Sequence, residues 1–218
     1  MRLRFGRWAI AAVAMVAVGM VSGSAKSAER ADASVHTPSS SQKRVPQSPK
    51  ESKRYVLHLH HLHTGEDLDV TYRVGDTYIP AALDKLNYFL RDHRTQDEKS
   101  YDPKEFDLLH ALMAKLGRSN GVIDIVCGYR TPWSNHYLRT RSADTGVAKH
   151  SQHMLAKAID IRVPGVSTLK LRNTALSLHE GGVGYYPVSQ FVHVDVGPVR
   201  HWSFGASRSR ARMRVAGD

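Results

Sequence analysis

An α+β domain with a mainly antiparallel central sheet flanked by helices is the fold this sequence predicts, and three observations carry it. Asp69 to Val74 alternates β-forming side chains with polar ones, and Val122 to Cys127 is rich in β-branched residues at strand length. Leu83, Leu86, Phe89 and Leu90 recur at spacings of three and four, as do Phe106, Leu109, Leu112, Met113 and Leu116. That is the period of a helix with one buried face. Strands and helices mix without the regular alternation that would mark a parallel α/β sheet.

Taken in order, Tyr55, Leu57, Leu59 and Leu62 open a first strand. Gly65 lies where a hairpin turn into Asp69–Val74 is wanted. Two helices follow. The second is punctuated by Asp102 as N-cap, Pro103 in the first turn, Glu105 in the capping-box position and Gly117 past the end. The strand Val122–Cys127 ends at Gly128-Tyr129-Arg130, and Thr131-Pro132 leads into a short helix over Ser134–Arg139. Ala158–Val163 reads as a strand and Ser167–Leu178 as a helix. Glycines at 181, 182 and 184 then break the chain before a last strand, Phe191–Val196.

Both ends read differently. Arg2, Arg4 and Arg7 precede an apolar run from Trp8 to Val21, and small residues follow. This is the order of a secretory signal peptide over residues 1–25, with cleavage after Ala25 or Ser27. The run is shorter than the roughly 20 residues that span a bilayer. The reading is therefore export to the periplasm without stable membrane insertion, and an uncleaved anchor is the alternative. Residues 26–54 are dominated by Ser, Lys, Ala, Gln and Pro, too poor in apolar side chains to offset their ordering entropy, and predict a disordered linker. Residues 206–218 form a basic tail.

The chain has 31 Lys and Arg against 20 Asp and Glu, a formal net charge of +11. Such a balance favours anionic partners. A nucleic-acid partner is not expected, because the basic residues lack interleaved aromatics and the leader directs the chain out of the cytoplasm. Cys127 is the single cysteine, so an intramolecular disulfide and a zinc site made of several thiolates are both excluded. Any metal site rests on His, Asp or Glu.

The densest polar segment runs from His150 to Val196 and holds Ser151, His153, Asp160, His193 and Asp195. Catalytic zinc takes three N or O ligands and keeps one open position; His153, Asp160 and His193 supply such a set. His153 and Asp160 on one helix would stand about two turns, roughly 10 Å, apart. The pair works only with His153 in a loop and Asp160 on a strand beside it. His193 and Asp195, two apart on a strand, share a face, with Val192, Val194 and Val196 on the other. Asp195 is placed either to accept the proton of a metal-bound water or to orient His193. Arg162 shares the face of Asp160. With 13 histidines in the chain, a satisfied hydrogen-bonded His–Asp pair remains the bland alternative.

Ser151-x-His153, six residues, Asp160 and a later strand histidine, His193, resemble the zinc peptidase class named for lysostaphin, D-alanyl-D-alanine peptidases and sonic hedgehog. Within it the chain is most similar to the YcbK-like murein endopeptidases. The pieces that carry this are His63-Thr64-Gly65-Glu66, Leu90-Arg91-Asp92-His93-Arg94, Gly128-Tyr129-Arg130 with Ser134-Asn135, and the block Gly181–Trp202. The resemblance implies a hedgehog/D-Ala-D-Ala-peptidase-like zinc peptidase domain over 55–205, with His153, Asp160 and His193 as Zn2+ ligands. It implies Arg130 as the group that stabilises the developing oxyanion, and peptidoglycan stem peptides as substrate. Many relatives carry a glutamate base three residues before the last ligand; here that position is Gln190. The base then falls to Asp195, with His150 and His201 as further candidates. A zinc-retaining but non-catalytic wall-binding module is the alternative. Oligomeric state and the bond cut are not legible.

Overall fold

The computed structural model describes residues 52–141 and 145–205. The expected signal peptide and basic tail, and the linker up to residue 51, lie outside them. Eight strands form one sheet in the order β3-β2-β1-β4-β5-β7-β6-β8. The strands are β1 (Arg54–His61), β2 (Asp67–Val74), β3 (Thr77–Tyr78), β4 (Val122–Cys127), β5 (Ala158–Arg162), β6 (Gly182–Tyr186), β7 (Phe191–Asp195) and β8 (Arg200–Ser203). Four helices accompany them: α1 (Pro80–Phe89), α2 (Lys104–Lys115), α3 (Pro132–Thr140) and α4 (Thr168–Leu176). Among the described residues no helix is long and apolar enough to cross a membrane.

The α+β class holds, but the sheet is mixed rather than mainly antiparallel. β1 and β4 run parallel, as do β6 and β8. Parallel neighbours need a crossover, and both arise where the chain leaves the sheet edge and returns. Between β1 and β4 it passes through β2, β3, α1 and α2; between β7 and β8 it crosses β6.

α1 packs on β2, α2 on β1, and α4 on β6 and β7. The apolar stripes read from the sequence are the core: Leu86, Phe106, Leu109, Leu112, Ile125, Ile159, Ile161, Val192 and Val194 are all fully buried. Each such side chain contributes roughly 1.5–3 kcal/mol by leaving water. Because strand side chains alternate, burying Ile159, Ile161, Val192 and Val194 turns Asp160, His193 and Asp195 to the opposite face.

Three local expectations change. The N-cap of α2 is Pro103 rather than Asp102, which lies one residue earlier with its Oδ1 accepting from the Lys104 N–H at 3.1 Å. Glu105 does not close a capping box; it is buried in the interior, and that burial pushes its carboxyl pKa well up. The glycines at 182 and 184 do not interrupt the chain but lie within β6. A Cβ on Gly184 would stand 2.6 Å from the Trp202 ring, and one on Gly182 would stand 2.6 Å from the Arg200 guanidinium. β6 is a strand with two side chains left out so that β8 can reach across it.

Candidate metal centre and its pocket

His153 sits on a 3-10 turn, Gln152–Leu155, immediately before β5. Ser151 caps that turn, its Oγ accepting from the His153 N–H at 3.3 Å, and Ala156 ends it in the left-handed region at φ 51°. A turn followed by a strand is the arrangement that a seven-residue spacing to Asp160 requires. Asp160 on β5 lies directly opposite His193 on β7 in the antiparallel register. The same transverse row takes in Cys127 on β4, Gly184 on β6 and Trp202 on β8. Trp202 leans across the gap at Gly184 to stand 5.1 Å from the His193 ring, and donates its Nε1–H to Tyr186 Oη at 3.0 Å.

The ring nitrogens are sorted by their partners. His153 Nδ1 lies 2.8 Å from the Gly128 carbonyl, which can only accept, so Nδ1 carries the proton and Nε2 offers a lone pair. His193 Nε2 lies 2.9 Å from Asp195 Oδ2, so in the neutral ring Nδ1 offers the lone pair. Those two free nitrogens stand 3.1 Å apart, and Asp160 Oδ1 is 3.2 Å from His153 Nε2 and 2.9 Å from His193 Nδ1. Three acceptor atoms thus converge, buried, with no proton assigned between them.

Converging acceptors call for a cation. Ligands held at roughly 2.0–2.1 Å around a tetrahedral zinc stand about 3.3 Å apart, so this triangle meets the ion with adjustments of a few tenths of an ångström. The outer nitrogens are tied to a carbonyl and a carboxylate, the usual arrangement for ligating histidines. The electrostatics favour the ligating form at His153 and Asp160, whereas at His193 they favour a bound proton that an ion would displace. Burial, opposed by Asp160, leaves His153 below its ordinary pKa and therefore neutral. For His193 burial is outweighed by its bonds to Asp160 and Asp195, and the pKa rises. Asp160 also works against burial, and its neighbours His153 and His193 hold it well below the carboxylate range.

Asp195 stands behind His193 rather than over the cluster. Its carboxylate meets His193 at Nε2, whereas Nδ1 is the nitrogen that faces His153 and Asp160. The Arg200 guanidinium grips it at 3.1 and 2.8 Å across the gap at Gly182, and the backbone N–H groups of Gly182 and Gly197 donate at 3.2 and 2.8 Å. Burial alone would raise its pKa; the bonds from His193 and Arg200 bring it down to about 2. A fully buried carboxylate with five donors has no lone pair for a water. Its position is the other one the sequence allowed, behind His193.

Arg130 is buried under the same row. Its Nη2 lies 3.8 Å from Asp160 Oδ2 and 3.2 Å from Cys127 Sγ, and Nη1 donates to Asn135 Oδ1 at 3.4 Å. Its backbone N–H donates to the His153 carbonyl at 3.3 Å. Thr131, the N-cap of α3, donates to Asp92 Oδ2 through both its N–H and its Oγ1, at 2.8 and 2.9 Å. Cys127, passed over in the sequence as unsuited to metal, has its Sγ within 4.8 Å of donor atoms of His153 and Asp160. Burial pushes its thiol up in pKa, which keeps it protonated. Only the β4–β5 register reveals it.

A pocket of about 180 Å³ opens over the cluster, with Arg130, His150, Tyr186, Arg200 and Phe204 on its walls. His201 does not line it. Gln190 is in the β6–β7 turn at φ 55° and lines a separate cavity with Asp124 and Arg162. The missing glutamate therefore takes no acid away from this pocket.

Residues 49–202, a span that holds Arg130 and the whole His153/Asp160/His193/Asp195 cluster, match the family described as peptidoglycan L,D-endopeptidase MepK. The chain is 43% identical over 150 residues to the probable peptidoglycan L,D-endopeptidase MepK of Haemophilus influenzae, covering 69% of this chain and 80% of that one. It is 46% identical over 147 residues to the peptidoglycan L,D-endopeptidases MepK of Escherichia coli and Shigella flexneri, covering 67% of this chain and 79% of theirs. No solved structure matches it significantly. On the family match and these identities, the chain belongs to the peptidoglycan L,D-endopeptidase MepK family of peptidases.

Proposed function

We propose that this chain is an exported, periplasmic zinc peptidase that hydrolyses stem-peptide cross-links in peptidoglycan, with His153, Asp160 and His193 as the metal ligands. The observation that carries the metal is the convergence of three lone pairs within 3.2 Å of one another. The family and the names of its relatives carry the substrate and favour a cross-link of the L,D type. The likeness to hedgehog and D-alanyl-D-alanine peptidase folds belongs to the same reading and rests on the ligand motif.

The chemistry a zinc ion supplies there is Lewis acidity, polarising the scissile carbonyl and lowering the pKa of water. The chain's own residues do the rest. Asp195, locked by Arg200, holds the His193 ring so that Nδ1 faces the cluster. The Gly128 carbonyl does the same for His153. Arg130, a fixed cation at the pocket floor, faces the oxygen on which negative charge develops. His150 on the pocket wall, an imidazole outside the ligand set, takes the proton and returns it to the leaving amine.

The test is a digest of purified cross-linked muropeptides, read by liquid chromatography and mass spectrometry, with chelator and zinc-restored controls. Loss of cross-linked dimers that chelator stops and zinc restores is the expected result, with His150→Ala slowing turnover about 10²–10⁴-fold while keeping its zinc. Intact dimers in every condition, from folded and zinc-loaded protein, would overturn the peptidase and leave the wall-binding module.

A further inference from the structure

Helix α3 begins two residues after Arg130, and its outer face is unused by the proposed reaction. Trp133 and Tyr137 are 58% and 43% exposed. Four residues apart, they share one helical face; their rings lie within 1° of parallel with centroids 5.5 Å apart. Arg141 continues the stripe, its guanidinium 5.6 Å from the Tyr137 ring. Large aromatic side chains are normally buried, and two adjacent exposed ones mark an interaction surface.

The opposite face of α3 ties this surface to the pocket. Buried Asn135 accepts from Arg130 at 3.4 Å and donates to the Ala148 carbonyl on the pocket wall at 3.1 Å. Trp133 is three residues from Arg130, so their Cα atoms are at most about 10 Å apart. The aromatic face and the pocket-lining Arg130 are thus carried by one short stretch of chain, Arg130 to Tyr137.

The chemistry of the surface selects its occupant. Between Asp124 and Asp144 the sequence has no acidic residue, while Arg139 and Arg141 are basic. Parallel π faces beside hydroxyl, imidazole and guanidinium groups suit a sugar ring, whose C–H face lies on an aromatic plane while its hydroxyls meet polar neighbours. A helix that lies in a lipid interface shows a broad apolar face; here exposed His136 and Thr140 interrupt the aromatic pair. We propose that Trp133 and Tyr137 form a platform on which the glycan strand of peptidoglycan docks while its stem peptide enters the adjacent pocket. This deepens the endopeptidase reading and rests on it for the polymer concerned.

The experiment compares the full chain with Trp133→Ala/Tyr137→Ala and with Trp133→Phe in two assays. The first is retention on glycan strands stripped of their stem peptides. The second is cleavage of cross-linked stem peptides with and without their sugars. The expected result is retention by the wild type, and about tenfold weaker retention by the double variant. KM rises by a similar factor on the sugar-bearing substrate alone, kcat is unchanged, and Trp133→Phe stays near wild type. Absence of wild-type retention overturns the proposal, as does an equal effect on both substrates, or loss of binding to anionic phospholipid vesicles with glycan retention intact. If the wild type cuts neither substrate, the endopeptidase reading fails by itself, and retention still decides the platform.

Discussion

Two groups of histidines in this domain solve opposite problems. In the pair His153 and His193, each ring gives its outer N–H to a fixed acceptor and turns the other nitrogen on Asp160. His61 does the reverse. Its Nδ1 accepts the backbone N–H groups of His63 and Thr64 at 3.2 and 3.3 Å, and its buried Nε2 has no hydrogen-bond partner among the described residues. His63 and His93 stack beside it, 4.2 Å between centroids. The neighbouring carboxylate of Glu66 is taken by Arg91 through two 3.1 Å bonds. Burial, reinforced by His63, pushes His61 down to about 4; burial and then Arg94 push His93 down to about 4. What makes a histidine a ligand is the acceptor behind it, which fixes the proton on the far nitrogen. Number and crowding are not enough.

The sharpest way to break this comparison is to remove one ligand. His153→Ala is expected to lose stoichiometric zinc and at least about 10³-fold of activity; metal analysis and the muropeptide digest check it. Zinc retained through His61, His63 and His93 would erase the distinction between the clusters.

A milder change tests the acceptor itself. Asp195→Asn keeps the shape but frees the His193 tautomer, and is expected to weaken zinc affinity or activity about 10–100-fold. Competition with a chromogenic chelator reads it. Complete loss of turnover with zinc affinity intact would return Asp195 to the role of base.

The smallest effect lies on the other cluster and appears in stability. The folded pKa of His61, about 4, is below its unfolded value of 6.5. Between these values the unfolded chain binds more protons, so stability rises with pH through that window. It is fully present above pH 6.5 and falls as the pH drops toward 4, by on the order of 3 kcal/mol. His61→Gln, which keeps an acceptor for the two backbone donors, is expected to flatten thermal melts recorded from pH 7 to 4. An unchanged slope would show that His61 is hydrated in solution.

The clustering of His153, Asp160 and His193 was legible in the sequence because it rests on alternation. Strand periodicity placed His193 and Asp195 on one face, and the impossibility of a shared helix forced His153 into a turn. The helical stripes and the Gly65 hairpin were legible for the same reason. What escaped depends on contacts between distant segments. Which nitrogen of His193 meets Asp195 is a torsion, not a spacing. Cys127 joins the row through strand register, Gly182 and Gly184 act by what they omit, and β8 is too short and exposed to show a period. Glu105 matched a capping motif until the core claimed its side chain.

The transverse row of cluster residues has a consequence for biogenesis. Asp160 and His193 are 33 residues apart in sequence and His153 and His193 are 40; they meet only when β5 and β7 zip in one register, since a single-residue slip turns one of them to the wrong face. A partly folded chain offers a metal one or two ligands and a weak grip. On the proposed ligand set, metal uptake would follow the zipping of β5 to β7 and come late in assembly.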